Sequence, residues 1–142
     1  MNGQKVYYPA VVVAAVAHFV LGAIWFTVFA KPWLAAIGKT MAQLGQSANE
    51  SVGYVVAFTA NLVIAWALAR LMIATGRTGA AGGVSLGALL WLGFTATTMG
   101  TAFVFEARSF EGFAIIAGYP LAGMLIMGAI LGAWRGKRPA AA

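Results

Sequence analysis

The feature that most constrains this chain is a set of four long runs almost free of charge, roughly residues 8–30, 52–75, 82–105 and 112–134. A helix rises 1.5 Å per residue, so about 20 residues cross the ~30 Å hydrocarbon core of a bilayer, and each run is long enough. Inside lipid an unpaired backbone N–H or C=O is costly, which leaves a helix as the way for a single run to cross. Composition agrees: the chain is 62% hydrophobic and 8% charged, where soluble domains hold about 45–50% and about 25%. The expected fold is therefore an all-α integral membrane protein. Its 142 residues form one four-helix domain, with the transmembrane helices arranged as two helical hairpins.

The connections carry the remaining organisation. Between the first and second runs lies a long polar stretch, 31–51, in which Trp33, Leu34, Ile37, Met41 and Leu44 recur at helical spacing beside Lys39, Gln43 and Gln46. Pro32 suits a first helical turn. The pattern predicts a short interfacial amphipathic helix over about 33–44; a solvated loop is the competing reading. The turns at Arg77-Thr78-Gly79 and at 106–111 are tight. An even number of spans puts both termini on one side, together with Lys5, Arg70, Arg77, Arg135, Lys137 and Arg138; Lys31, Lys39 and Arg108 fall on the other. The positive-inside rule then places the termini on the cytoplasmic side of the membrane. The first run, with Phe19, Trp25, Phe26 and Phe29, is too long and too aromatic for an excised signal and is expected to be retained. Arg70 is expected to snorkel, and Tyr7, Tyr8, Trp33 and Trp134 to fill interfacial belts.

Polar residues inside the runs are the candidates for function. His18, the single histidine, lies ten residues into the first span, hence about 15 Å deep. An ionisable group there faces an interior or a cavity, and it acts either as a protonatable or ligand-contacting element or as interhelical glue. Asn61, Thr95, Thr97, Thr98 and Tyr119 fall at comparable depths and could complete a polar intramembrane layer with His18. Glu106, Arg108 and Glu111 would stand at its outer mouth, or form a plain solvated turn. Pro120 would kink the last span. Small-residue faces at Gly22, Gly83, Gly87, Gly128 and Gly132 are expected to let helices approach closely, within one chain or between copies.

Absences bound the chemistry. No cysteine is present, which removes disulfides, thiolate metal sites and thiol nucleophiles. No Ser, His and Asp set, no carboxylate within a span and no phosphate-cradling Gly-rich loop with Lys appears. No metal, cofactor or enzymatic activity is therefore expected. The net charge of +6 reads as membrane topology and not as nucleic-acid binding, because the basic residues form no stripe. The lead functional expectation is a small transporter or channel-like protein binding or moving a small solute of unknown identity. The alternative is a non-catalytic accessory or structural subunit of a larger membrane complex. Partners beyond the lipid bilayer would be a second copy or such a complex.

Several blocks follow one another along the chain: 18–26 (His-Phe-Val-Leu-Gly-Ala-Ile-Trp-Phe), Lys31-Pro32-Trp33, Gly53-Tyr54, 90–98, Phe105-Glu106-Ala107-Arg108, Ala117-Gly118-Tyr119 and 127–134. Together they resemble the family of small bacterial membrane proteins called domain of unknown function 1761, from about Tyr8 to Trp134. The resemblance implies no activity, substrate or catalytic residue. Members resembling this chain often carry a polar or bulky residue where it has Pro120.

Overall fold

A computed structural model describes residues 5–47 and 49–136. It contains α1 (Tyr8–Val28), α2 (Ala30–Ile37), α3 (Met41–Ser47), α4 (Glu50–Ala74), α5 (Gly79–Leu90), a π-helical segment (Trp91–Ala96), α6 (Thr97–Phe105) and α7 (Phe110–Gly136). No strand occurs among the described residues. Four stretches are long and apolar enough to cross a membrane: α1, α4, the continuous run from α5 through the π segment to α6, and α7.

Local chemistry sets where these helices begin and end. The Asn49 side chain accepts a hydrogen bond from the Val52 N–H at 3.3 Å, capping α4, and Glu50 places a negative charge in its first turn, where both favour the helix N-terminus. At the other end of α4, Gly76 N–H donates to Ile73 O and Arg77 N–H to Met72 O. This paired closure needs a left-handed residue, supplied by Gly76 at φ 67°.

The same closure divides the connection expected as one helix over 33–44. Lys39 N–H donates to Leu34 O and Gly38 N–H to Ala35 O, with Gly38 at φ 66°, so α2 stops at Ile37. A new helix is then started by a reciprocal pair: Thr40 N–H donates to Gln43 Oε1 at 2.8 Å, and Gln43 N–H donates to Thr40 Oγ1 at 3.3 Å. This capping box opens α3. The connection is thus two short helices joined at Gly38–Thr40.

Packing is organised around α7, which rests against α1, α2, α4 and the α5–π–α6 run, while α1 also packs on α4. One core cluster joins Ala10, Ala14 and Ala15 of α1 to Ala65, Leu68 and Met72 of α4 and to Met127 and Leu131 of α7. Its small residues let backbones approach, as helices in lipid require. The tightest contact lies between α5 and α7. A Cβ on Gly83 would fall on the Gly128 carbonyl, one on Gly132 on the Gly79 carbonyl, and one on Gly87 would come 2.5 Å from the Met124 carbonyl oxygen. The glycine faces of spans three and four are therefore consumed within the chain. By contrast, Val52, Tyr54, Val55 and Val56 of α4, with Phe94, Val104 and Phe105, remain exposed.

Candidate functional site

His18 of α1, Asn61 of α4 and Tyr119 of α7 meet where their three helices pack. His18 is 2% exposed and Asn61 4%, while Tyr119 is half-buried. The His18 and Tyr119 rings lie 4.6 Å apart, tilted by 32°, and the Tyr119 hydroxyl donates a long 3.4 Å bond to the His18 carbonyl. The Asn61 side chain also bears on that hydroxyl.

Two glycines make room for the rings. Gly22 follows His18 by four residues on α1, and Gly123 follows Tyr119 by four on α7, so each glycine shares a helix face with its ring. A Cβ on Gly123 would strike His18 Nε2, and one on Gly22 would come 2.9 Å from the Tyr119 hydroxyl oxygen. The result is a reciprocal lock, each helix offering one ring and one notch. The same antiparallel register extends to both ends of the pair. Trp25 packs on Gly118, and the Tyr7 and Trp134 rings lie 6.2 Å apart. Gly123 is a site residue that sequence reading did not single out; its signal is the paired four-residue spacing, His18–Gly22 and Tyr119–Gly123.

The lock leaves hydrogen-bonding capacity unused. Neither His18 Nδ1 nor Nε2 has a partner among the described residues, nor does Asn61 Nδ2. A neutral imidazole offers one donor and one acceptor, and a side-chain amide nitrogen two donors. The groups described around the imidazole, Tyr119, Asn61, Gly22 and Gly123, are all neutral. Among the described residues, no three His, Cys, Asp or Glu side chains are grouped so as to hold a metal ion. What the centre can do chemically is exchange a proton at the imidazole or hydrogen-bond a small polar molecule.

Two tryptophans flank it from either side of α7. Trp25 Nε1–H donates to Ile115 O at 3.0 Å, and Trp91 Nε1–H donates to Ala117 O at 2.8 Å. Pro120 brings no N–H to the Ile116 carbonyl four residues earlier, so the two indoles grip the carbonyls on each side of the missing backbone bond. Trp91 also opens the π segment of span three, and such segments are found mostly as single-turn interruptions of α-helices. Sequence reading found the proline, but not its two clamps or the π segment.

The other candidate residues lie elsewhere. Thr95 is half-buried, and Thr97 and Thr98 are exposed. The Thr97 hydroxyl donates back to the Gly93 carbonyl at 2.8 Å, the local bond by which a threonine satisfies itself on a helix surface. Arg108 pairs with Glu106 at 3.3 Å, donates to the Ala36 carbonyl at 3.4 Å, and places its guanidinium 4.2 Å from the Phe103 ring centroid. Ala36 lies in the last turn of α2, where helix carbonyls lack partners. Arg108 thereby ties the last turn to α2, and Glu111 stays exposed in the first turn of α7.

A family model described as "Protein of unknown function (DUF1761)" matches residues 9–132, a range that holds the whole polar centre, both notch glycines and both tryptophan clamps. No curated protein and no solved structure matches the chain.

Proposed function

The chain belongs to the DUF1761 family, and from that premise we propose that it is a small multi-pass membrane protein that binds and moves a small solute, with His18 as its protonatable element. The observation that carries this reading is the His18 imidazole, 2% exposed with both ring nitrogens lacking a partner among the described residues. A histidine retained as interhelical glue needs an interhelical hydrogen bond from its ring. An unsatisfied buried polar group costs about 1–3 kcal/mol, a cost that a purely structural ring could shed by becoming apolar. Asn61 and Tyr119 complete the centre, and Gly22 and Gly123 hold its rings in register.

We take the four spans as two hairpins, with α2 and α3 at the outer membrane interface and both termini on the cytoplasmic side of a bacterial inner membrane. The support is the excess of Lys and Arg on the terminal side and the positive-inside rule. The proposed role is not enzymatic, since the centre pairs no nucleophile with a base.

The test is proton movement in reconstituted vesicles loaded with a pH-sensitive dye. Wild-type protein should dissipate an imposed pH gradient faster than His18→Ala, both variants being checked for folding by circular dichroism. Equal rates would remove His18 from the mechanism.

The exposed apolar outer half of α4, at Val52, Tyr54, Val55 and Val56, favours a second reading, an accessory subunit that packs against a larger complex. Gly128 and Gly132 are engaged inside the chain, so the docking face under that reading is α4. Val55→Lys would then weaken co-purification with a partner, and isolation of the protein always alone would count against it.

A further inference from the structure

Charge is divided unevenly between the two ends of the bundle. All three acidic residues, Glu50, Glu106 and Glu111, sit at one end: the start of α4, the end of α6 and the start of α7. Lys5, Arg70 and Arg77 sit at the other end, where the described residues include no acidic side chain. Arg77 donates to the Ser85 hydroxyl at 2.6 Å. Lys5 and Arg70 are exposed. Cations at a membrane face with no internal counter-charge attract anionic headgroups.

An apolar groove of about 250 Å³ opens between α1 and α4 in the half of the bundle nearest those cations, lined by Tyr8, Val11, Val12, Leu62, Val63 and Trp66. Val11 is buried and forms its floor; Val12, Val63 and Trp66 are exposed along its rims. Val63, Trp66 and Arg70 follow one another at three- and four-residue steps and so form one row on the surface of α4. Arg70 lies four residues before the end of α4 at Ala74, about 6 Å inside it, within the reach of an arginine that snorkels to the headgroups. On the facing helix Tyr8 begins α1 and Lys5 precedes it.

An open apolar groove that starts near the middle of α4, with Arg70 one turn beyond Trp66 and Lys5 three residues before Tyr8, has the form of a lipid site: a chain in the groove, a negative head beyond its end. We infer that the groove seats one acyl chain of an anionic phospholipid, whose phosphate is held by Arg70 and Lys5. The site rests on the membrane-spanning architecture alone and is independent of the role given to His18.

The experiment is native mass spectrometry of the full chain in mild detergent, with palmitoyl-oleoyl phosphatidylglycerol and palmitoyl-oleoyl phosphatidylcholine added at equal concentration. One phosphatidylglycerol per chain should be retained in preference to phosphatidylcholine. Arg70→Gln and Lys5→Gln should each weaken that retention about fivefold, the effect of one basic residue at a membrane surface. Val63→Trp, which fills the groove from its rim, should reduce retention of both lipids. Lys5 precedes the first helix and Arg70 and Val63 are exposed, so none of these changes disturbs the core. Equal retention of the two lipids, or phosphatidylglycerol retention unchanged in both charge variants, would overturn the assignment. So would a dimer that carries no lipid and that Val63→Trp dissociates, because the groove would then belong to a second copy.

Discussion

At the scale of single residues, Gly123 is what permits His18 to lie where it does. A methyl group at position 123 would occupy the space taken by the imidazole Nε2, and overpacking of this kind costs about 1–3 kcal/mol. Gly123→Ala should lower stability by that amount in denaturant titrations of the protein in mixed micelles. The loss should largely disappear when His18→Ala is already present, since two side chains competing for one space couple by about 0.5–3 kcal/mol. An equal loss in both backgrounds would show that the imidazole does not occupy the notch. Gly22→Ala should cost less, because its new methyl would meet only the far end of Tyr119, at 2.9 Å. His18, Asn61 and Tyr119 are visible in the sequence as polar interruptions of apolar runs. Gly123 is not, because 18 glycines scattered through such runs give no contrast. Only the pairing of two helices shows which glycine faces a ring.

At the scale of elements, α7 is a two-faced helix. Gly118 and Gly123 turn toward α1, where they receive Trp25 and His18, while Met124, Gly128 and Gly132 turn toward α5 and meet backbone. Backbone cannot yield as a side chain can. Gly128→Ala should therefore destabilise the protein by at least as much as Gly123→Ala. Gly93→Ala, where nothing lies within 4 Å, should be neutral or raise stability by up to about 1 kcal/mol through helix propensity. Thermal unfolding of the two variants side by side checks the contrast, and equal effects would mean that α5 and α7 are not in this register. The small-residue faces were legible from their four-residue spacing, but which helix each faces was not, since spacing along one helix says nothing about its neighbour. The break in the connection after span one is hidden for a related reason. The apolar positions Trp33, Leu34, Ile37, Met41 and Leu44 stay nearly in phase across the break, so periodicity hides it. Gly38 and the Thr40–Gln43 pair, which end one helix and start the next, are the local signals that outweigh it.

At the scale of the whole molecule, the four membrane-crossing stretches were legible because lipid removes every alternative to a helix for a run of that length. How tightly they close was not, because an apolar side chain reads the same whether it faces lipid or protein. The half of the bundle nearer the termini is closed by the alanine-rich core, while the other half leaves α4 and α6 largely uncovered; the polar centre sits between the two. Which half faces the cytoplasm decides both the leaflet in which the proposed Arg70 groove would find its lipid and the side from which His18, in its proposed role, would exchange protons. The chain contains no cysteine, so single cysteines report sidedness without background. Lys39→Cys, exposed between α2 and α3, and Thr78→Cys, exposed between α4 and α5, lie on opposite sides of the membrane if α4 crosses it once. A membrane-impermeant maleimide should label Lys39→Cys in intact cells and Thr78→Cys only after permeabilisation. The reverse pattern would invert the molecule and turn its basic end outward. The lipid groove would then open on the outer leaflet, and the excess of Lys and Arg would no longer account for the orientation.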